Sequence, residues 1–319
     1  MTRRVPELSL QHYIAGSPAQ RTAFEQALFA GLQDYGFIIL SDHGVAESLL
    51  DEAYATAEAF FALPLAAKLA CRGGLRGYTP FGIEHAKDHA VPDLKEFFQV
   101  GRDPALGAVA GENYPANVWP TALPAVADVF GRLYAALDDA AGILLRALAP
   151  ALQVPPEWFA ERVAAGNSVL RVIHYPPVAA DAEPGAVRSA AHEDINLLTL
   201  LVAARGGGLQ LLDRDGSWLP VETNPRNLIV DSGDMMARLT NGVIPATTHR
   251  VVNPGDVVTG IANTSRYSIP FFVHPTNATP LAALPACITP DRPLRYPPTT
   301  AGEYLEQRLR EIGLAPTAP

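Results

Sequence analysis

The chain has 319 residues, of which 48% are apolar and 18% charged, enough apolar material for a large core and too little charge for intrinsic disorder. Its formal net charge is −9 with no basic run, the wrong sign for a phosphate backbone, so nucleic acid is not an expected partner. The longest apolar stretch, Ala140 to Leu152, is broken by Arg146 and proline, well short of the roughly 18 residues of a membrane span.

Met1 to Pro6 leads into no apolar signal segment, and a cytoplasmic protein is expected. Residues 1–150 read mainly as helices. Ser17-Pro18 is a helix start, followed by Phe24, Ala27, Leu28, Leu32 and Tyr35 at helical spacing up to Gly36. The apolar run Phe37 to Leu40 suits a buried strand. A helix with the stripe Leu49, Leu50, Ala53, Tyr54, Ala57, Phe60 and Phe61 then runs to Pro64, and another spans roughly Pro124 to Leu148. Between these two helices, the glycine-rich run Gly73 to Gly82 and the polar run Glu84 to Asp93 predict an irregular lid or binding loop. His85 and His89, spaced four apart in it, read as solvated residues and not as a second metal site. Cys71 and Cys287 lack motif spacing and read as two thiols.

From about Ser168 the texture changes to short β-rich segments: Val169 to Tyr175, Asn196 to Ala203, a hairpin of Leu209 to Leu212 with Trp218 to Val221, Leu228 to Val230, Thr247 to Val252 and Tyr267 to Val273. Many short strands without intervening helices predict an antiparallel sandwich or barrel. Thr300 and Glu303 form a capping box for a last helix.

The chemistry concentrates in this second half. In extended backbone His192 and Asp194 share a face while Glu193 points away, and His249, in a later β-like stretch, can supply a third donor from a neighbouring strand. Two histidines and a carboxylate with open positions suit non-haem Fe(II), although zinc hydrolases use the same donors. In Arg266-Tyr267-Ser268 the same alternation places a guanidinium beside a hydroxyl, the expected receptor for a carboxylate. Arg171, Ile173 and Tyr175 share a face of their strand, and Tyr175 can add a phenolic donor.

These motifs, in this order, resemble the isopenicillin N synthase-like branch of the Fe(II)/2-oxoglutarate-dependent dioxygenases over nearly the whole chain. The resemblance includes Tyr35-Gly36-Phe37-Ile38, Asp42-His43-Gly44-Val45, Tyr175-Pro176-Pro177, Gly233-Asp234-Met235, Thr240-Asn241-Gly242 and His249-Arg250-Val251. It implies an α+β protein with a distorted double-stranded β-helix, or jelly-roll, core flanked by N-terminal helices. Residues 1–150 would form the helical region and 151–319 the catalytic region. It implies Fe(II) on His192, Asp194 and His249, and the far carboxylate of the cosubstrate 2-oxoglutarate on Arg266, Ser268 and Tyr175. The expected reaction is oxidation of a small organic molecule, most simply hydroxylation, with O₂ consumed and succinate and CO₂ released. Glu193 replaces the threonine usual in plant members, and the link from His249 to Arg266, with Pro254-Gly255-Asp256, is longer than theirs. Arg76, Tyr78, Phe81, Phe97, Phe98 and Arg171 are the candidate residues for the substrate entrance. Two other readings share the motifs: an Fe(II) oxidase that uses the clamp on its substrate instead of on 2-oxoglutarate, and a jelly-roll binding module without catalysis.

Overall fold

The computed structural model describes residues 3–86, 91–103, 114–254 and 262–314. Its helices are α1 (Gln11–Ile14), α2 (Pro18–Tyr35), α3 (Glu47–Phe61), α4 (Leu65–Leu69), α5 (Ala125–Leu148), α6 (Trp158–Val163), α7 (Asp234–Leu239) and α8 (Ala301–Glu311). Local chemistry sets their ends. Ser17 and Gln20 exchange side-chain-to-backbone bonds at the start of α2, and Thr300 and Glu303 do the same for α8. Helix α2 stops at Gly36, which adopts φ +67° and donates to the Leu32 carbonyl.

The strands form two sheets. The larger has the order β1 (Glu7–Ser9), β2 (Phe37–Ser41), β11 (Leu228–Ser232), β8 (Leu198–Arg205), β13 (Arg266–Val273), β6 (Val169–Tyr175), β5 (Glu96–Gly101), β4 (Arg76–Thr79) and β3 (Arg72–Gly73). The smaller has the order β10 (Trp218–Pro220), β9 (Leu209–Leu212), β12 (His249–Val251) and β7 (Ser189–His192). Neighbours are antiparallel except the pair β1 and β2. Alternation then divides the large sheet into two faces. Ile38, Leu40, Leu200, Val202, Val230 and Phe271 pack under α2, α3 and α5 in the main core. Phe37, Ile39 and Ile229 point the other way and meet Leu209, Leu211 and Val251 of the small sheet. With both faces covered, β2 reads as an unbroken apolar run. This is the jelly-roll of an α+β chain, with the helices on its outer face.

One N-terminal expectation is corrected, and one strand was not expected. The run Gly73 to Gly82 is not an irregular lid: Arg72–Gly73 and Arg76–Thr79 form a hairpin on the sheet edge, with Gly77 opposite Gln99 and Thr79 opposite Phe97. Its glycines serve close packing as well as turns, since a Cβ at Gly77, at φ +73°, would stand 2.1 Å from the Cys71 carbonyl oxygen. Strand β5 had no readable alternation because its polar residues are buried with partners. Glu96 accepts from Lys68, Tyr78 and His174, and Gln99 from Arg171. Cys71 and Cys287 are free and buried. Among the described residues, no helix is long and apolar enough to cross a membrane.

Candidate active site

Between the sheets lies a cavity of about 400 Å³. On its small-sheet side, β7 and β12 pair so that His192 and His249 stand directly opposite, with ring centroids 4.4 Å apart. Asp194 follows in the irregular segment before β8, which begins at Leu198 and not at Asn196. The carboxylate nevertheless converges, its Oδ1 lying 3.8 Å from Nε2 of each histidine. The three donor atoms lie within 4.8 Å of one another.

Backbone carbonyls aim these rings. Nδ1 of His192 contacts the Ala190 oxygen at 2.7 Å and Nδ1 of His249 the Thr247 oxygen at 3.1 Å. Each Nδ1 donates, leaving both Nε2 lone pairs turned to the common centre. Asp194 is held by the Thr199 hydroxyl. Its carbonyl accepts from the Asp234 amide at 2.7 Å, an approach that needs Gly233, where a Cβ would stand 2.5 Å from the Asn196 oxygen and 2.7 Å from that of Asp194. Glu193 points away, accepting from Thr248 at 2.6 Å. Burial, and next His249, push His192 down to about 4, which keeps its lone pair free for a metal. Burial opposes the charge on Asp194, but His249, His192 and Thr199 together hold it below the usual carboxylate range. Asp231, buried and bonded to Asp194, is driven well above that range.

The motif Tyr35-Gly36-Phe37 backs the same centre. A Cβ at Gly36 would stand 2.0 Å from Thr247 Oγ1, and that hydroxyl donates to the Tyr35 carbonyl at 2.8 Å. Thr247 in turn carries the carbonyl that orients His249. The Phe37 ring meets the His249 ring edge-on at 5.6 Å.

On the large-sheet wall, Arg266 pairs with Tyr175 and Ser268 with Ile173 across β13 and β6. Arg266 is only 1% exposed. Its Nε donates to the Gly207 carbonyl at 3.2 Å, its Cζ lies 5.0 Å from the Tyr175 ring centre, and its Nη1 has no partner. No acid pairs with it among the described residues. A buried guanidinium with a free N–H in a cavity beside a hydroxyl fits an incoming carboxylate.

The entrance residues separate. Arg76 and Arg171 line the cavity. Tyr78 does not: it lies in the core against Phe60, its hydroxyl 2.5 Å from Glu96. Phe98 is also core, between Phe60 and Phe130. Phe97 is buried against Ile173 and Tyr175 under the Arg171 guanidinium, and Phe81 is exposed. Strand alternation accounts for the split, since Gln99, not Phe98, faces inward beside Arg171. Glu84, Asp93 and Lys95 are not solvated but form a buried network with Arg171, with Lys95 2.6 Å from Glu84 and 2.8 Å from Asp93. His85 is on the cavity wall; His89 and Gly255-Asp256 lie outside the described residues.

Sequence reasoning missed several site residues. His274 and Asn167 continue β13 and β6 into the cavity, and Leu305, Arg308 and Leu309 of α8 close its far side. Arg188 is 1% exposed near Arg266 and donates to the Thr264 carbonyl. An arginine four positions before His192 was a readable signal, but only the strand pairing shows which way it turns.

Comparison with known proteins shows the family of this chain. Residues 5–122 match the family described as non-haem dioxygenase in morphine synthesis N-terminal, and residues 166–275 match the 2OG-Fe(II) oxygenase superfamily. A proline hydroxylase, buaE of Petromyces alliaceus, is 31% identical over 96% of this chain and 98% of its own. A solved 2OG-Fe(II) oxygenase family protein from Caulobacter crescentus is 43% identical, with TM-score 0.84 over 97% of this chain and 99% of that one. A full-length Neurospora crassa protein solved in complex with α-ketoglutarate is 27% identical, with TM-score 0.83 over 95% of each chain. The chain belongs to the Fe(II)- and 2-oxoglutarate-dependent oxygenases. It is a dioxygenase that uses Fe(II), 2-oxoglutarate and O₂ to oxidise a small organic molecule.

Proposed function

We propose that His192, Asp194 and His249 hold the Fe(II), that Arg266 and Ser268 hold the far carboxylate of 2-oxoglutarate with Tyr175 packed beside them, and that the outcome is hydroxylation. The carrying observation is the presence, in one cavity, of three converging donor atoms and an unpartnered buried nitrogen on Arg266. A proline hydroxylase among the relatives favours hydroxylation as the outcome.

When bound, the metal would bring O₂, the oxidant, together with 2-oxoglutarate, whose oxidative decarboxylation to succinate and CO₂ takes up one oxygen atom and leaves the other for the substrate. The chain's own residues position the reactants. Ala190 and Thr247 fix the imidazoles by accepting from Nδ1, and Thr199 fixes the Asp194 carboxylate. Arg266 can donate from Nη1 to a carboxylate oxygen while Nε stays anchored on Gly207. The aliphatic side chains of α8 keep bulk water from the reacting carbon.

The test is anaerobic addition of Fe(II) and 2-oxoglutarate, which should give the visible charge-transfer band of a chelated keto acid. Alanine at His192, Asp194 or His249 should abolish the band and substrate-dependent succinate release while leaving the far-UV circular dichroism unchanged. A wild-type protein with no band at saturating ligand would falsify the assignment.

A further inference from the structure

Resting on that reading of the metal and 2-oxoglutarate positions, the remaining cavity wall carries information about the organic substrate. Among the described residues, five cations line the cavity: Arg76, Lys95, Arg171, Arg266 and Arg308. Lys95 and Arg171 are paired with Glu84 and Asp93, and Arg308 with Asp234 and Glu311. Arg266 is accounted for by 2-oxoglutarate. Arg76 is left over.

Arg76 is 2% exposed. Its Nη1 donates to the Leu75 carbonyl at 2.8 Å, its Nη2 to Asn167 Oδ1 at 2.7 Å, and its Nε has no partner. Its place is built, because a Cβ at Gly101 would stand 1.9 Å from Nε and 2.2 Å from Cζ; any other residue at Gly101 would expel the guanidinium. Burying an uncompensated charge is costly, and such groups are normally paired.

Two more unpartnered polar atoms belong to residues that line the same cavity. Gln99 spends its Oε1 on Arg171, leaving Nε2 with two free N–H groups. Gln99 and Arg76 stand on the neighbouring strands β5 and β4, and both line the cavity. His274 Nδ1 donates to the Phe272 carbonyl at 3.3 Å, leaving Nε2 a buried acceptor without a partner. Arg76 and Arg171 are cations whose charge is felt at His274. The cavity therefore has two cationic ends, since Arg266 stands opposite Tyr175, the last residue of β6, and Arg76 bonds to Asn167, two residues before its first.

We infer that the organic substrate is a small carboxylic acid whose carboxylate is held by Arg76 and the Gln99 amide, with His274 accepting from an adjacent O–H or N–H. Pro270, Phe272 and Val169 line the wall between the two ends and match an apolar body reaching toward the metal.

Protein loaded anaerobically with Fe(II) and 2-oxoglutarate is titrated with aromatic and aliphatic monocarboxylic acids bearing a neighbouring hydroxyl or N–H, each paired with its own primary amide. Binding is read from the shift of the charge-transfer band and from the thermal transition. Acids should bind about tenfold to hundredfold more tightly than their amides, the range for one charge-assisted contact. In Arg76→Gln that preference should vanish with the 2-oxoglutarate constant unmoved. Asn167→Asp, which sets an acid beside Arg76 without removing it, should also abolish the preference and covers the case in which Arg76→Gln folds poorly. Equal affinity of acids and amides in the wild type, binding by neutral compounds alone, binding by no acid of the series, or a preference that survives both variants overturns the inference. Absence of the band itself would instead count against the metal and cosubstrate assignment.

Discussion

At Arg266 the fork matters more than the charge. Lysine there keeps the charge but loses the anchored Nε and the planar geometry. Arg266→Lys is expected to raise the apparent constant for 2-oxoglutarate about tenfold to hundredfold while Fe(II) binding hardly moves, which separate titrations of the two would show. Glu84 is the opposite case, an acid whose function is internal. Burial alone would raise its pKa, but Arg171 and Lys95 outweigh burial and pull it down to about 2. A depressed carboxylate stabilises the fold above its unfolded pKa and loses that contribution as pH falls through its folded value. The window here runs from about 4.5 down to about 2, and the shift corresponds to about 3 kcal/mol. Glu84→Gln should lower stability by that order at neutral pH, with the difference from the wild type closing in this window during acid unfolding. The metal and clamp candidates were singled out by period-2 alternation, which holds for Arg266 and Ser268 on β13 but not for Asp194, whose irregular backbone is brought to the centre by Thr199 and the Asp234 amide. Glu84, Lys95 and Gln99 were not, since a buried polar residue looks like a solvated one until its partner on another strand is known.

The same limit operates on elements. Helices with capping boxes, α2 and α8, and those with apolar stripes, α3 and α5, were readable nearly to their ends, because the deciding interactions lie within a few residues. Strands β3, β4 and β5 were hidden, since glycine and buried polar groups carry the opposite local signal and pairing is decided elsewhere in the chain. The junction of α2 and β2 shows how an element's end can serve the site. Gly36 is both the left-handed cap of α2 and the floor on which Thr247 rests. Gly36→Ala is expected to cost at least about 1 kcal/mol from backbone conformation alone. By displacing Thr247 from beneath His249 it should also weaken Fe(II) binding about tenfold. A melting curve and an anaerobic metal titration check the two effects separately, and a change in stability without a change in metal affinity would break the link drawn through Thr247.

Across the whole molecule, an antiparallel sandwich or barrel was legible from strand density after Ser168 and its jelly-roll form from the family resemblance, but the enclosure of the cavity was not. Helix α8 comes from the far end of the described chain to cover the opening. Tyr304 donates to Asp234 at 2.8 Å and Arg308 lies 3.4 Å from the same carboxylate, which ties the cover to the turn supporting Asp194. Removing residues 301–319 should therefore increase substrate-free consumption of 2-oxoglutarate, measured as succinate released without organic substrate, because water then reaches the centre. The Thr247 hydroxyl and the Tyr35 carbonyl are 212 positions apart, and this has a consequence for the order of assembly. Closing so long a loop is entropically slow and belongs late in folding. During synthesis, α2 and its terminal glycine leave the ribosome long before Thr247 exists. With the metal on the proposed triad, tight iron capture would follow folding and not nucleate it, because Thr247 is braced beneath His249 only once the distant halves have met.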